Sequence, residues 1–68
     1  LDMLARISTE ELLKQVQTLP DGYRMVFNLY VIDGYTHPEI AQMLNISEGT
    51  SKSQLARAKE SLRAKLKT

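Results

Sequence analysis

The chain has 68 residues, 43% of them hydrophobic and 25% charged, and it contains no cysteine. This length allows one small domain with little room for a catalytic cleft, and the lack of cysteine excludes disulfides and thiolate metal sites. The formal net charge of +1 is unevenly distributed: residues 1–34 carry five acidic and three basic side chains, whereas residues 35–68 carry three acidic and six basic ones. A domain with one basic end is suited to binding a polyanion.

The sequence also indicates the cellular compartment of the protein and whether the chain is a whole protein or a part of one. No apolar run approaches the length of a membrane-spanning helix, and no signal-peptide pattern precedes the first helix. We therefore expect a cytoplasmic binding module with no membrane insertion, no cofactor, no metal and no small-molecule substrate. Because the chain begins at Leu1 rather than at methionine, we interpret residues 1–68 as one domain of a longer protein.

The first predicted helix is marked by signals at both ends. Ser8 and Glu11 fit a capping box, in which the serine oxygen accepts from a helical amide and the glutamate reaches back. Pro20 stops the helix, because the residue before a proline is pushed out of the α region. The sequence therefore predicts a helix over residues 9–18.

The second predicted helix covers residues 21–33, with Asp21 as its cap candidate. Gly34 should end it, since glycine adopts the left-handed conformation without steric cost. Its apolar side chains form a broad stripe that is expected to supply most of the core: Tyr23, Val26, Phe27, Leu29, Tyr30 and Val31.

The third predicted helix, over residues 37–44, has the strongest start signal. Thr36 and Glu39 form a second capping box, and Pro38 falls in the first turn, where its missing amide hydrogen would have had no partner. Asn45 stands where a tight turn needs a left-handed residue. This predicts the first helix and turn of a helix-turn-helix.

The fourth predicted helix covers residues 48–66 and is capped by Ser47. One face is predicted to be buried, because its members recur at steps of three and four: Ser51, Leu55, Ala58, Leu62 and Leu66.

The opposite face of this helix combines small and cationic side chains. At about 100° per residue, Gly49, Ser53, Ala56 and Arg57 point away from the core, with Lys52 on one flank and Gln54 towards the other. Small side chains let a helix approach the base edges of the DNA major groove, and the cations favour the polyanion. The chain is thus predicted to be all-α, a four-helix helix-turn-helix domain of the winged-helix-like DNA-binding class without a wing.

Three further residues receive simpler interpretations. The single histidine, His37, is expected to be a solvated first-turn residue, because no cysteine is available to build a zinc site with it. Lys65 and Lys67 are expected to complement the negative C-terminal end of the last helix. No nucleophile motif or phosphate-binding glycine loop is present, so we predict that the domain is not an enzyme.

The run over residues 19–62 resembles region 4 of the extracytoplasmic-function sigma factors, the bacterial subunits that direct RNA polymerase to promoters. The resemblance covers roughly residues 8–66, nearly all of the chain. The sequence pieces that carry it are Leu19-Pro20, Tyr23-Arg24, Phe27, Gly34-Tyr35, Glu39-Ile40-Ala41, Ile46-Ser47-Glu48-Gly49-Thr50 and Lys52-Ser53. The resemblance implies a four-helix domain whose last helix reads the minus-35 element of promoter DNA, while earlier helices dock on the β flap of RNA polymerase.

Residue roles follow from the resemblance. The positions that match the family's base-reading residues are Lys52, Ser53, Ala56 and Arg57. The candidates for DNA phosphate contacts, which position a domain without reading sequence, are Thr36, Thr50 and Gln54.

Two positions depart from the family pattern. Ser51 occupies a core position that is commonly valine, and its hydroxyl is expected to find a partner in the carbonyl one turn back. Gln54 stands where the family often has arginine, which implies a smaller phosphate contribution than in a typical member.

Two alternatives stay open on the sequence. The acidic, apolar-rich first half could make this chiefly a protein-interaction module, for the polymerase flap or for an anti-sigma factor. The domain could also be the DNA-binding output domain of a response or quorum-type regulator, which uses a similar helix-turn-helix. The pairing of Leu19-Pro20 with Tyr23-Arg24 favours the sigma factor.

Overall fold

The computed structural model describes residues 8–66. Within that range the chain is helical with short connections and contains no β-strand, in agreement with the predicted all-α class. The four helices are α1 (Thr9–Val16), α2 (Asp21–Phe27), α3 (His37–Leu44) and α4 (Glu48–Leu66), and a π-helical turn (Asn28–Ile32) continues α2.

Helix α1 begins as predicted and ends earlier. The Ser8 hydroxyl oxygen accepts from the Glu11 amide at 3.2 Å. The helix ends at Val16 rather than near Thr18. At this end the Thr18 amide donates to the Gln15 carbonyl at 3.0 Å, a three-residue bond that tightens the last turn.

The start of α2 corrects one prediction. Pro20, with φ −54° and ψ 150°, is the residue that precedes the helix, and no side chain caps it. Asp21 is instead the first helical residue, and its carboxylate pairs with the Arg24 guanidinium at 2.6 Å. The prediction of Asp21 as the cap was wrong because the proline already supplies the extended conformation that a cap residue needs.

The end of α2 was also predicted incorrectly. A single α-helix to residue 33 was expected, but residues 28–32 form a π turn, in which the Asp33 amide donates to the Asn28 carbonyl at 2.9 Å. The hydrophobic stripe could not reveal this turn, because an apolar pattern does not distinguish four-residue from five-residue hydrogen bonds. Gly34 does end the segment as predicted, with a left-handed φ of 82°.

The helix-turn-helix formed by α3, the turn and α4 follows the prediction closely. Both bonds of the Thr36–Glu39 capping box are present. Asn45 is left-handed, with φ 56° and ψ 48°. The Ser47 hydroxyl accepts from the Thr50 amide at 3.0 Å and so caps α4.

The core lies along α4, which packs against α1, α2 and α3. All five residues of the predicted stripe of α4 are buried, including Ser51, which is fully inaccessible. The other buried hydrophobic side chains come from the three shorter helices and the connection after α1: Val16, Leu19, Val26, Phe27 and Ile40.

Candidate nucleic-acid interface

The face of α4 opposite the core is solvent-exposed over its first three turns. Because Ser51, Leu55 and Ala58 turn inward, the residues about half a turn away from them point outward on a helix of 3.6 residues per turn. The outward set comprises Gly49, Lys52, Ser53, Ala56 and Arg57, all of them exposed. We call this set the outer face of α4.

The two cations of the outer face have no ionic partner among residues 8–66. The ion pair found in that range joins Asp21 and Arg24 on α2, and neither Lys52 nor Arg57 takes part in one. A guanidinium presents five N–H donors in a planar fork, and an ammonium presents three. Both cations are therefore available to acceptors on another molecule.

Between these cations the helix surface has only small side chains. Ser53 and Ala56 are exposed and small, and Gly49 has no side chain at all. A helix with such residues can approach a grooved surface closely without steric obstruction, and the Ser53 hydroxyl can both donate and accept.

Thr50 lies beside the outer face with a hydroxyl that keeps a free proton. The Ser47 hydroxyl accepts from the Thr50 amide at 3.0 Å and donates to the Thr50 hydroxyl oxygen at 2.9 Å. In this arrangement the Thr50 oxygen accepts, so its own O–H can donate to an external acceptor.

Thr36 is exposed but its hydroxyl is already used. The Thr36 hydroxyl donates to the Glu39 carboxylate at 3.0 Å and accepts from the Glu39 amide at 3.3 Å. The Thr36 amide donates to the same carboxylate oxygen at 2.9 Å. These backbone and hydroxyl donors, in that order of importance, lower the pKa of Glu39 from its ordinary value of 4.5. An incoming anion would have to displace a carboxylate here.

Gln54 is half-buried and faces α2. Its side-chain oxygen is inaccessible and has no hydrogen-bond partner among residues 8–66. The amide lies over Gly22 so closely that a Cβ placed there would come within 3.3 Å of this oxygen. Gln54 therefore packs against α2 rather than extending from the outer face of α4.

His37 and Ser51 form a contact that the sequence patterns did not predict. The Nδ1 atom of His37 lies 2.8 Å from the Ser51 hydroxyl oxygen. The His37 ring also stacks on Tyr30, with centroids 4.4 Å apart and planes inclined by 22°. His37 is thus half-buried rather than solvated, and Ser51 uses a side chain of α3 rather than the carbonyl one turn back. The polar residue in an otherwise apolar stripe was the only signal that a partner was needed.

Lys65 lies in the last turn of α4, as its interpretation requires, and it also makes a contact that was not predicted. Its ammonium donates to the Thr18 carbonyl at 3.4 Å and contacts the Thr18 hydroxyl. It therefore joins the end of α4 to the end of α1, where the freed carbonyls of a helix terminus favour a cation. Lys67 lies outside the described residues.

Two other kinds of site are not found in the part of the chain that the structure describes. In residues 8–66 no helix is both long enough and apolar enough to cross a membrane. Over the same range, no three His, Cys, Asp or Glu side chains are grouped so that they could hold a metal ion.

The chain matches a known family over most of its length: residues 9–62 match Sigma-70, region 4. It is 41% identical over 54 residues to the ECF RNA polymerase sigma factor SigW of Bacillus subtilis, covering 79% of this chain and 29% of the relative. It is 38% identical over 55 residues to SigM of the same organism, covering 81% of this chain and 34% of the relative.

A more distant relative is the ECF RNA polymerase sigma-E factor of Escherichia coli K12, 30% identical over 60 residues, with 88% of this chain and 31% of the relative covered. The chain thus spans about a third of the length of these curated relatives. No solved structure matches it. The family match decides against the alternative of a response or quorum-type regulator. The chain belongs to the sigma-70 region 4 family and, within it, to the region 4 domains of ECF RNA polymerase sigma factors.

Proposed function

We propose that this domain binds promoter DNA as part of a sigma factor and reads the minus-35 element with the outer face of α4. The observation that supports this most directly is the free, exposed pair of cations Lys52 and Arg57 around the small residues Ser53 and Ala56. In the major groove, Arg57 and Lys52 would donate to guanine acceptors, Ser53 would bond to a base edge, and Ala56 would contact a thymine methyl group.

The hydrogen bonds of the three candidate residues show which side chain has a donor left for a DNA phosphate. Thr50 keeps a free O–H beside the outer face, and we propose it as a phosphate donor. The Thr36 hydroxyl proton is held by the Glu39 carboxylate, and Gln54 packs over Gly22. For Thr36 and Gln54 we therefore propose structural roles, the first in capping α3 and the second in the packing between α4 and α2.

A second function, protein binding, is supported by a separate surface. The π turn exposes apolar side chains, with Tyr30 38%, Val31 37% and Ile32 49% accessible. Exposed apolar residues that are adjacent in this way are typical of protein contacts. We propose RNA polymerase, through its β flap, as the partner, with an anti-sigma factor as the competing one. Both functions place the protein in the cytoplasm.

The DNA-binding proposal can be tested with a duplex selected from random sequence. The wild-type chain is used to enrich the duplex from a library, and its affinity is then measured by fluorescence anisotropy for Arg57→Ala. We expect a loss of about 1–3 kcal/mol in specific affinity, because a bidentate base contact disappears. Thermal unfolding should be unchanged, since the side chain is exposed and unpaired.

Arg63→Ala is the matched control, because it removes the same exposed charge near the other end of α4. This variant should bind every duplex slightly more weakly, and by the same factor. Failure of the wild-type chain to enrich any duplex, or equal affinities of the two variants for the enriched one, would contradict the DNA-binding proposal. Retained polymerase binding by Arg57→Ala would show that the two surfaces act separately.

A further inference from the structure

The contact between His37 and Ser51 joins α3 to α4 at the end of α3 that is farthest from the turn. The turn at Asn45 connects the end of α3 to the start of α4. His37 is at the opposite end of α3, about 10 Å from that turn at 1.5 Å per residue. The turn and the packing of Ile40 already join the two helices, and a directional attachment at the far end of α3 further restricts rotation of α4 against it.

The contact also lies directly behind the proposed DNA-binding residues. Ser51 is fully inaccessible, and its neighbours in sequence are Thr50 and Lys52. Lys52 lines the same surface groove as Tyr30 and His37. A rotation of α4 about its axis would move Ser51 away from His37 and would displace Lys52 at the same time.

The chemistry of the contact determines which atom donates. A buried hydroxyl needs an acceptor for its proton, because an unsatisfied buried donor is costly. Among residues 8–66 the Ser51 hydroxyl has one side-chain or backbone partner, Nδ1 of His37. In neutral His37 the Ser51 O–H therefore donates to Nδ1, and the ring proton is on Nε2. The stacked ring of Tyr30 limits rotation of the imidazole.

We infer that His37 is a positioning residue of the DNA-binding surface: through the hydrogen bond from Ser51 it holds α4 at a fixed orientation against α3, so that the outer face of α4 is ordered before DNA arrives. This inference rests on the proposed DNA binding for its functional part. A surface ordered in advance loses less conformational entropy on binding, and the loss of the bond therefore weakens the affinity.

The first test observes the bond itself, without DNA. His37 is the single histidine of the chain, so nitrogen-15 spectra of the side chain report on one ring. In the wild-type chain at alkaline pH the proton should be found on Nε2, with the Nδ1 resonance displaced as expected for a hydrogen-bond acceptor. In Ser51→Ala that displacement should disappear. A proton on Nδ1 in the wild type, or no change in Ser51→Ala, would overturn the inference.

The second test measures coupling in DNA affinity, using the duplex enriched by the wild-type chain. Ser51→Ala and His37→Leu should each bind about two- to tenfold more weakly, the range expected for one hydrogen bond. The double variant should be no weaker than either single one, because both remove the same bond. Additive losses would overturn the inference.

Two further variants separate positioning from other roles. In His37→Asn the side-chain amide oxygen can lie near the Nδ1 position and accept from the Ser51 hydroxyl, but no atom replaces Nε2. The affinity of this variant should therefore be within about twofold of the wild type. Loss of affinity in His37→Asn with its fold retained would show a direct DNA contact through Nε2 and overturn the inference. Ser61→Ala, on α4 but about three turns away, is the matched control and should bind normally.

The two proposals fail in different ways. If the wild-type chain enriches no duplex, the proposed DNA binding fails, while the nitrogen-15 spectra still decide whether the bond from Ser51 exists. If the wild type binds its duplex and Ser51→Ala binds it equally well, DNA binding stands and the positioning role of His37 is overturned.

Discussion

The helix-turn-helix of α3 and α4 differs from the preceding half of the domain in how its helix ends are made. In the helix-turn-helix, Thr36, Asn45 and Ser47 each form the local bond or adopt the backbone conformation that their residue type favours. In the preceding half, α2 begins at Asp21 after Pro20 without a side-chain cap, and it passes into a π turn. Local chemistry therefore specifies the helix ends of the helix-turn-helix, whereas the start of α2 and its π turn carry no such capping signal.

The surfaces of the two regions differ in the same sense. The outer face of α4 carries cations and small side chains, whereas the π turn exposes the large apolar side chains of Tyr30, Val31 and Ile32. Since π turns interrupt regular helices and are frequent at functional sites, this one fits the proposed protein contact. The two proposed binding surfaces are thus connected by a single core.

The largest expected effect tests whether that core makes the two regions one cooperative unit. Phe27, at the end of α2, is fully inaccessible. Phe27→Ala should cost about 3–5 kcal/mol, comparable with the roughly 3–10 kcal/mol of total stability expected for a domain of this size. Circular dichroism and thermal unfolding should show helicity lost throughout.

Met25→Ala is the control for this substitution, because Met25 is two residues away on the same helix and 45% exposed. It should change stability by less than about 0.5 kcal/mol. If Phe27→Ala left the amides of α3 and α4 protected while those of α1 and α2 exchanged, the two regions would be independent and the shared-core interpretation would be wrong.

A smaller effect is expected at the turn. Asn45 has a φ of 56°, a conformation that costs an alanine roughly 1–2 kcal/mol. Asn45→Ala should therefore lower the free energy of unfolding by about 1 kcal/mol, and Asn45→Gly should leave it nearly unchanged. Urea denaturation of both variants measures the difference. Equal stabilities of the two variants would mean that the turn of Asn45→Ala adopts another conformation and that the alanine is not held at the left-handed φ.

The smallest expected effect concerns the capping box at the start of α3. Because the pKa of Glu39 is lowered in the folded state, its contribution to stability is complete above the unfolded value near 4.5 and is lost as pH falls through the lowered folded pKa. The Glu39→Gln variant should lack this part of the acid dependence of the thermal midpoint, since it has no charge to lose.

Thr36→Ala separates the two causes of that lowered pKa. The variant loses the hydroxyl donor but keeps the backbone amide, which is the larger cause. An NMR titration should therefore place the pKa of Glu39 between the wild-type value and 4.5. A complete return to 4.5 would show that the hydroxyl, not the amide, controls the carboxylate.

Much of the fold could be predicted because its signals are local. Capping residues, a left-handed asparagine and steps of three and four along α4 act within one or two turns, so their outcome depends little on the rest of the chain. The bounds of α3 and α4, and the buried stripe from Ser51 to Leu66, follow from these signals alone. The exposure of Lys52 and Arg57 follows from the same periodicity.

Other features depend on residues that are distant in sequence, and only the tertiary structure decided them. His37 meets Ser51 across fourteen positions, and Lys65 meets Thr18 across forty-seven. Gln54 lies against Gly22 because α2 crosses α4 there. No local pattern encodes such pairs, since each depends on how the helices pack around a common core. The sequence by itself thus determined the helices and the residues on their outer faces, and packing determined which polar side chains remain available to a partner.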